Sequence, residues 1–481
     1  MDNNLLMSEK IIIIGAGISG LSAGIFAQKN GYNTIIYEKN AFSGGNLTGW
    51  TRKNCYIDNC IHWLNGSKDG NKFNTLWKEL GAFEGLEFYQ SEDFVVSEYE
   101  GERIGLNKDL ETTHKNMLLL SPIDKKEIEK FVKCVNHIIK LNNTKKLEAI
   151  KNLLKMLSIY KKQTIFEVKQ RFHHPLLKRL LSDYIPENYS IYALLFAYAS
   201  FCIGDGKVLK NGSKAMANNI TNKYLSLGGK IEYNSPVTRL NTIGKNVVSI
   251  KLQNGKEVFA DKFICCVDPK IIFNEFLSMQ DMPKKLKNTY NLRKRYPIIT
   301  SFHIAYKTSA NIDIPDNFVF ELNSEILIGN TNYTRIMLKK YAYGINFTPD
   351  DSYVLQVFLL QSDEDYDAWA RLNETDYKKE KERIVKKISE EIVEKFSISK
   401  DDLEFLDCWT PLSYTKYFNA YKGSYMSFGI TKKIKLSIFP SKIKYKNLYF
   451  ATQWQRLFGG LPNALLSGKN CIEKNFKTQN K

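Results

Sequence analysis

Residues 11–20 of this 481-residue chain read Ile-Ile-Ile-Ile-Gly-Ala-Gly-Ile-Ser-Gly, and no other stretch restricts the fold as strongly. Ile11 to Ile14 form a short unbroken apolar run, the pattern of a strand covered on both faces in a parallel sheet. Gly15 permits a tight turn out of that strand. Gly17 removes a side chain where a pyrophosphate must approach the backbone, and Gly20 lets the next helix lie close against the sheet. The spacing predicts that helix from about Ser19 to Asn30, ended by Gly31. Its free N-terminal N–H groups favour an anion. A second strand, Thr34 to Tyr37, leads to Glu38, at the spacing of roughly 20 residues where a carboxylate accepts a ribose hydroxyl. The same acid disfavours a 2′-phosphate and so argues against NADP. Gly15, Ala16, Gly17, Ser19, Gly20 and Glu38 thus mark a dinucleotide site in an α/β fold. This segment alone leaves FAD and NAD both open.

A chain of this length exceeds one ordinary core, so two domains are expected. The formal net charge of +18 raises nucleic acid or a membrane as partners. The lysines are spread along the whole chain, and no nucleic-acid motif accompanies them, so nucleic acid is excluded. The eight cysteines form no C-x-x-C pair and no zinc spacing. With no secretory leader visible, reduced thiols and a cytoplasmic location are expected, with Cys265 and Cys266 in the core and no metal site. No window reaches the 18 or so apolar residues of a spanning helix. Ile191 to Ile203 reads as a buried helix near a substrate cavity. Lys151 to Lys162 interleaves Leu153, Leu154, Met156, Leu157 and Tyr160 with lysines. That pattern suits the inner face of a membrane and equally an ordinary helix with a core face. Gly204-Asp-Gly206 lacks a flanking strand and helix, so there is no second dinucleotide domain. NAD(P)H could then serve only as a transient electron donor.

Further segments follow in a familiar order. Glu38 is followed by Lys39 to Phe42 and then Ser43-Gly44-Gly45-Asn46. Next come Tyr56-Ile-Asp-Asn-Cys-Ile-His-Trp-Leu-Asn-Gly66, then Lys210-Asn-Gly-Ser-Lys-Ala-Met216 before a helix, then Gly228-Gly229 leading to Val237. Val247 to Leu252 and Glu257 to Val267 read as two strands flanking the turn Asn254-Gly255, the second ending in Cys266-Val-Asp-Pro269. Thr410-Pro411 through Tyr425 is rich in Tyr. The far end reads Leu448-Tyr-Phe-Ala-Thr-Gln-Trp454, then Phe458-Gly459-Gly460-Leu461-Pro462 before a helix. Together these segments resemble the flavin amine-oxidase superfamily, in particular its phytoene desaturase, carotenoid isomerase and retinol saturase branch. Asn46 stands where Arg or Lys is common, Asn59-Cys60 replaces a frequent glycine, and Thr452 replaces the usual glycine.

The resemblance implies a discontinuous Rossmann-like FAD-binding domain with an inserted α+β substrate domain. The first would comprise residues 1–90, 205–275 and 440–481, and the second residues 91–204 and 276–439. It implies non-covalent FAD held also by Lys39, Gly44, Gly45, Asn46, Val237, Gln453, Gly459, Gly460 and Leu461. Reduced flavin carries negative charge near N1, which the start of the last helix would stabilise, and Pro462 suits that first turn. His62 and Trp63 would lie by the flavin ring. His62 could donate a hydrogen bond or proton, or be a satisfied core histidine. Asp58 would order the loop around it. Tyr414 and Tyr417 would line an apolar tunnel or form a packed aromatic layer. The implied activity is hydride transfer at flavin N5 to or from carbon–carbon bonds of an extended apolar molecule. Amine or porphyrinogen oxidation, redox-neutral polyene isomerisation and flavin-free binding of prenylated proteins are the alternatives on the same fold.

Overall fold

A computed structural model describes residues 9–141, 146–292, 295–429, 431, 443–456 and 459–477. Strand Lys10–Ile14 lies at the centre of a five-stranded parallel sheet. The order across it is 448–450, 262–265, 10–14, 33–37, 230–232. Ile11, Ile12 and Ile13 are fully buried, which explains why the run is apolar on both faces. Helix Ile18–Lys29 covers one side and packs against the C-terminal helix Gly460–Asn475, where Ser22 Oγ donates to the Leu465 carbonyl at 2.8 Å. The first strand and the last helix of the described residues therefore meet on one sheet.

Glu257 to Val267 is not a single strand. Glu257–Phe259 closes an antiparallel hairpin with Asn246–Leu252, whereas Lys262–Cys265 leaves it to pair in parallel with Lys10–Ile14. The break falls where burial changes: Phe259 is 61% exposed, while Phe263 to Cys265 are completely buried. Asp261 pins the break, since its Oδ2 accepts the Lys10 N–H at 2.8 Å.

A second, seven-stranded mixed sheet takes its strands from 93–107 and 300–409. Strands Thr300–Thr308 and Tyr353–Gln361 pair antiparallel along their full length, and the helix Glu374–Phe396 packs near its outer face. On the face turned to the first sheet, Asn317, Lys339 and Gln356 lie opposite one another across three strands. Gln356 Nε2 donates to the Asp58 carbonyl at 2.9 Å, bringing that row against the segment that carries His62. Helix Ile191–Cys202 belongs to a third, mainly helical core together with Lys125–Leu141 and Lys146–Tyr160.

Candidate functional site

Gly15 holds φ of +98°, a conformation free of strain only for glycine, and its N–H donates to the Tyr37 carbonyl at 2.9 Å. Gly17 caps the first helix with extended geometry, φ −71° and ψ 176°. A Cβ built there would meet nothing nearer than Gly45 Cα at 4.0 Å, whereas a Cβ on Gly20 would lie 2.0 Å from the Gly15 carbonyl oxygen. One glycine keeps open space and the other permits packing. The loop 43–46 crosses above them, where the Gly44 N–H donates to the Ala16 carbonyl at 2.8 Å. Glu38 is buried at the end of its strand, with Oε2 accepting the Ala16 N–H at 2.8 Å and Oε1 the Asn40 N–H at 2.9 Å. Burial pushes its carboxyl above the usual range. Lys39 Nζ donates to the Lys416 carbonyl at 3.0 Å and to Asn419 Oδ1 at 2.7 Å, tying this strand end to helix Pro411–Phe418.

These groups open into one cavity of about 740 Å³. Gly15, Gly17, Ser19, Glu38, Lys39, Gly44, Gly45, Asn46, Val237, Gln453, Gly459, Gly460 and Leu461 all line it, as do His62 and Trp63. Ala16 and Gly20 do not line it. They act from behind, Ala16 through its N–H on Glu38 and Gly20 through the close packing just described. Tyr414 and Tyr417 also stay out of the cavity, so both are corrected as tunnel residues. Tyr414 is buried in the packed layer, bonded to Ser301, His303 and Asn59, and Tyr417 is 47% exposed on the surface. The aromatic lining comes instead from Tyr184, Tyr189, Tyr192, Phe358 and Tyr425.

At the far end of the chain, Gly459 and Gly460 both have positive φ, and a Cβ on Gly460 would meet Met426 Cε at 3.9 Å, an ordinary contact. Gln453 braces this turn, with Oε1 accepting the Gly460 N–H at 2.7 Å. Pro462 has no N–H, so among the described residues the Leu461 amide and the helix dipole carry the anion-stabilising capacity of this helix start. Phe458, expected in the same turn, lies outside the described residues. Among the described residues Asn46 Oδ1, buried on the cavity wall, has no partner, and it could accept a donor from a ligand. An open glycine cradle at one end, a buried carboxylate at a strand end, an orphaned amide oxygen and a second glycine turn at a helix start fit a long dinucleotide.

The sequence matches the family described as flavin containing amine oxidoreductase over residues 18–471. The chain belongs to that family. It is 21% identical to a prolycopene isomerase of Daucus carota, over 86% of this chain and 71% of that one. It is 22% identical to a 4,4′-diaponeurosporene oxygenase of Staphylococcus aureus, over 97% of this chain and 98% of that one. A solved oxidoreductase of Methanosarcina mazei has the same fold, with a TM-score of 0.63 at 13% identity, covering 96% of this chain and 100% of the other. As a member of the flavin containing amine oxidoreductases, this chain is a flavoprotein oxidoreductase with FAD as its cofactor.

Around the expected residues His62 and Asp58, this flavoprotein's fold gathers Lys339, His303 and Asp205, which no sequence pattern announced. His62, half-buried, packs on Phe358 with ring centroids 4.5 Å apart, and its Nδ1 lies 2.8 Å from Lys339 Nζ. Burial drives the His62 imidazole well below its ordinary value and lowers Lys339 to about 8. His303 is buried as well, stacked on Trp409 at 4.5 Å, with Nε2 2.8 Å from Ser301 Oγ. Asp58 anchors the His62 loop by accepting the Ser213 N–H and Oγ–H, both at 2.6 Å, and the Cys60 N–H at 3.1 Å. Asp205 holds the next turn, accepting the Gly66 N–H at 2.7 Å and Asn71 Nδ2 at 2.6 Å. All eight cysteines are free, and Cys266 reaches the cavity wall while Cys265 is in the core. No helix among the described residues is long and apolar enough to cross a membrane, and no cluster of metal-ligating side chains occurs among them.

Proposed function

We propose that this flavoprotein moves hydride between FAD and a carbon–carbon bond of an extended apolar, polyene- or lipid-like substrate. The observation that carries the reading is the continuity of one cavity, from the glycine cradle into a chamber walled by Trp63, Tyr184, Ile299, Phe358 and Leu360. The carboxylates on its lining, Glu38 and Asp268, both sit just beyond strands of the nucleotide sheet and are held by backbone N–H groups. The aromatic chamber offers no carboxylate to a charged amine among the described residues. Two relatives named for carotenoid chemistry support an apolar polyene, and the Daucus carota relative supports isomerisation as a second reading.

FAD supplies the hydride acceptor or donor at N5. Gly17 and Gly45 would leave room for its pyrophosphate and Glu38 would take a ribose hydroxyl, while Gln453 would fix the Gly459–Leu461 turn against its ring. Trp63 and Phe358 would hold a flat substrate chain between aromatic faces. The apolar walls would exclude water from the reacting carbons. Helix Lys146–Tyr160 exposes Ile150, Leu153 and Leu154 beside Lys151 and Lys155, a surface that suits lipid delivery of such a substrate.

The test is to mix FAD-loaded protein, anaerobically and in both oxidation states, with polyenes of graded saturation and with aliphatic amines. Loss or recovery of the flavin absorption band with polyenes, matched by a mass change or geometric change in the product, is the expected result. Flavin reduction by amines alone would overturn the reading.

A further inference from the structure

Lys339 is an unusual place for a lysine. It lies in the middle of a buried row of the seven-stranded sheet and is only 4% exposed. Its Nζ points to His62, 277 residues earlier in the chain, and the hydrogen bond to Nδ1 is 2.8 Å. The charged and titratable groups that face it are Asp58, Asp316 and Cys60, and the Tyr341 ring lies 5.4 Å from Nζ. The Asp58 carboxylate is already taken by Ser213 and Cys60. His62 is faced by Lys339 and His303 and by the rings of Phe358, Trp63 and Tyr184.

His62 also stands between two cavities. One is the large cavity of the substrate chamber. The other, of about 20 Å³, lies behind it and is lined by Lys339, Asp316, Tyr89 and Asn317. That volume holds about one water. Tyr89 Oη donates to Asp316 Oδ2 at 2.8 Å, and both residues are half-buried, so this polar pocket reaches toward solvent. An ammonium can only donate, so a charged Lys339 makes Nδ1 the acceptor and puts the imidazole proton on Nε2. Among the described residues Nε2 makes no hydrogen bond, which leaves it for a ligand in the chamber.

We infer that Lys339 is a positioning residue that fixes His62 as a proton donor to the substrate and reloads it from the small polar pocket behind. The inference rests on the carbon–carbon reading above and gives it a direction: at rest the site is set to add a proton to an alkene carbon, as saturation or isomerisation requires, rather than to remove one. In the step, the Nε2–H bond breaks as the C=C π pair forms a C–H bond; the neighbouring carbon would take the hydride that reduced FAD supplies in saturation, or the proton would return to Nε2 after bond rotation in isomerisation. The Lys339 Nζ–H bond breaks as Nδ1–H forms. His62 ends as the opposite neutral tautomer, and Lys339 ends as an amine that regains its proton from solvent past Asp316. No electrons are exchanged at this couple. Burial of both groups supports the order, because it disfavours an imidazolium at His62 and leaves Lys339, at about 8, able to lose a proton near neutrality.

The test begins without substrate. FAD-loaded protein with nitrogen-15 histidine is examined by long-range nitrogen–proton NMR, and His62 is assigned among the six histidines by difference from His62→Gln. Wild type is expected to show His62 with its proton on Nε2 at neutral pH and no imidazolium down to mildly acid pH. Lys339→Met is expected to mix the two tautomers. A proton found on Nδ1 in the wild type, or an imidazolium near the ordinary histidine range, overturns the inference even if no lysine variant folds. With a reacting polyene, the rate per bound flavin should bend near pH 8, and Lys339→Met should lower it at least tenfold and erase the bend. A rate within twofold of wild type with the bend retained also overturns the inference. The tautomer result needs no substrate, so failure of the polyene reading and failure of the Lys339–His62 couple are told apart.

Discussion

Replacing Gly17 with Val should abolish FAD binding while leaving the apoprotein almost as stable as before. The backbone there, φ −71° and ψ 176°, is a region that a β-branched residue adopts without strain. The new Cβ would have 4.0 Å to its nearest neighbour, an ordinary contact. The residue caps a helix without using a side chain, so a poorer cap costs about 1 kcal/mol at most. The space it fills is the space assigned to the pyrophosphate. Gly20→Ala is the control within the same motif. Its Cβ would lie 2.0 Å from a backbone oxygen, which forces the helix off the sheet and costs about 1–3 kcal/mol or more by overpacking. The assay is urea unfolding of both apoproteins, with and without FAD. At a concentration of about 100 times Kd, FAD should stabilise wild type by about 2.7 kcal/mol. Gly17→Val should gain under about 0.5 kcal/mol from the same FAD while its apoprotein stays within about 1 kcal/mol of wild type. Gly20→Ala should lose stability with or without FAD. Wild-type FAD affinity in Gly17→Val, or an apoprotein destabilised as much as Gly20→Ala, would refute the assignment of open space to the phosphate.

Denaturing the holoprotein should release intact FAD into the supernatant, since none of the cysteines or histidines on the cavity wall lies in an attachment motif; flavin colour left in the precipitate would show a covalent link. His303 is held neutral by burial, so the unfolded chain binds a proton that the native state refuses. His62 is held down in the same way, so stability should be unaffected above pH ~6.5 and fall by about 2.7 kcal/mol per unit below it, until the native histidines titrate, and His303→Phe should about halve that slope. Asp205→Asn replaces an acceptor with a donor facing Asn71 Nδ2 and should cost about 2 kcal/mol in urea unfolding, with loss of order in the 66–71 turn seen by hydrogen exchange. Flotation with anionic liposomes should be lost on changing Leu153 and Leu154 to Glu; equal flotation of variant and wild type would remove this helix from membrane contact.

The glycine turn and the parallel sheet were legible in the sequence because their causes are local. Four buried isoleucines, a turn that only glycine makes and a helix start three residues later leave a signature within one short window. Helix Ile191–Cys202, apolar but for Ser200, was likewise readable as buried, and it does line the cavity through Tyr192, Ala193 and Ala197. Where the chain had to choose a partner strand, periodicity was silent. Lys262–Cys265 looks like the continuation of its hairpin, and only the demand of Lys10–Ile14 for a parallel neighbour draws it away. The tyrosines of 414–425 share one composition, yet Tyr414 is locked under His303, Tyr417 faces solvent and Tyr425 reaches the cavity. Lys339 is the clearest case. In sequence it is the first of two lysines at the end of a strand, indistinguishable from a solvated pair. What makes it a buried partner of His62 is the register of three strands and their docking on a loop 277 residues away. Local sterics write the cofactor motif into the chain, but the electrostatics of the reacting end exist only once distant segments desolvate one another.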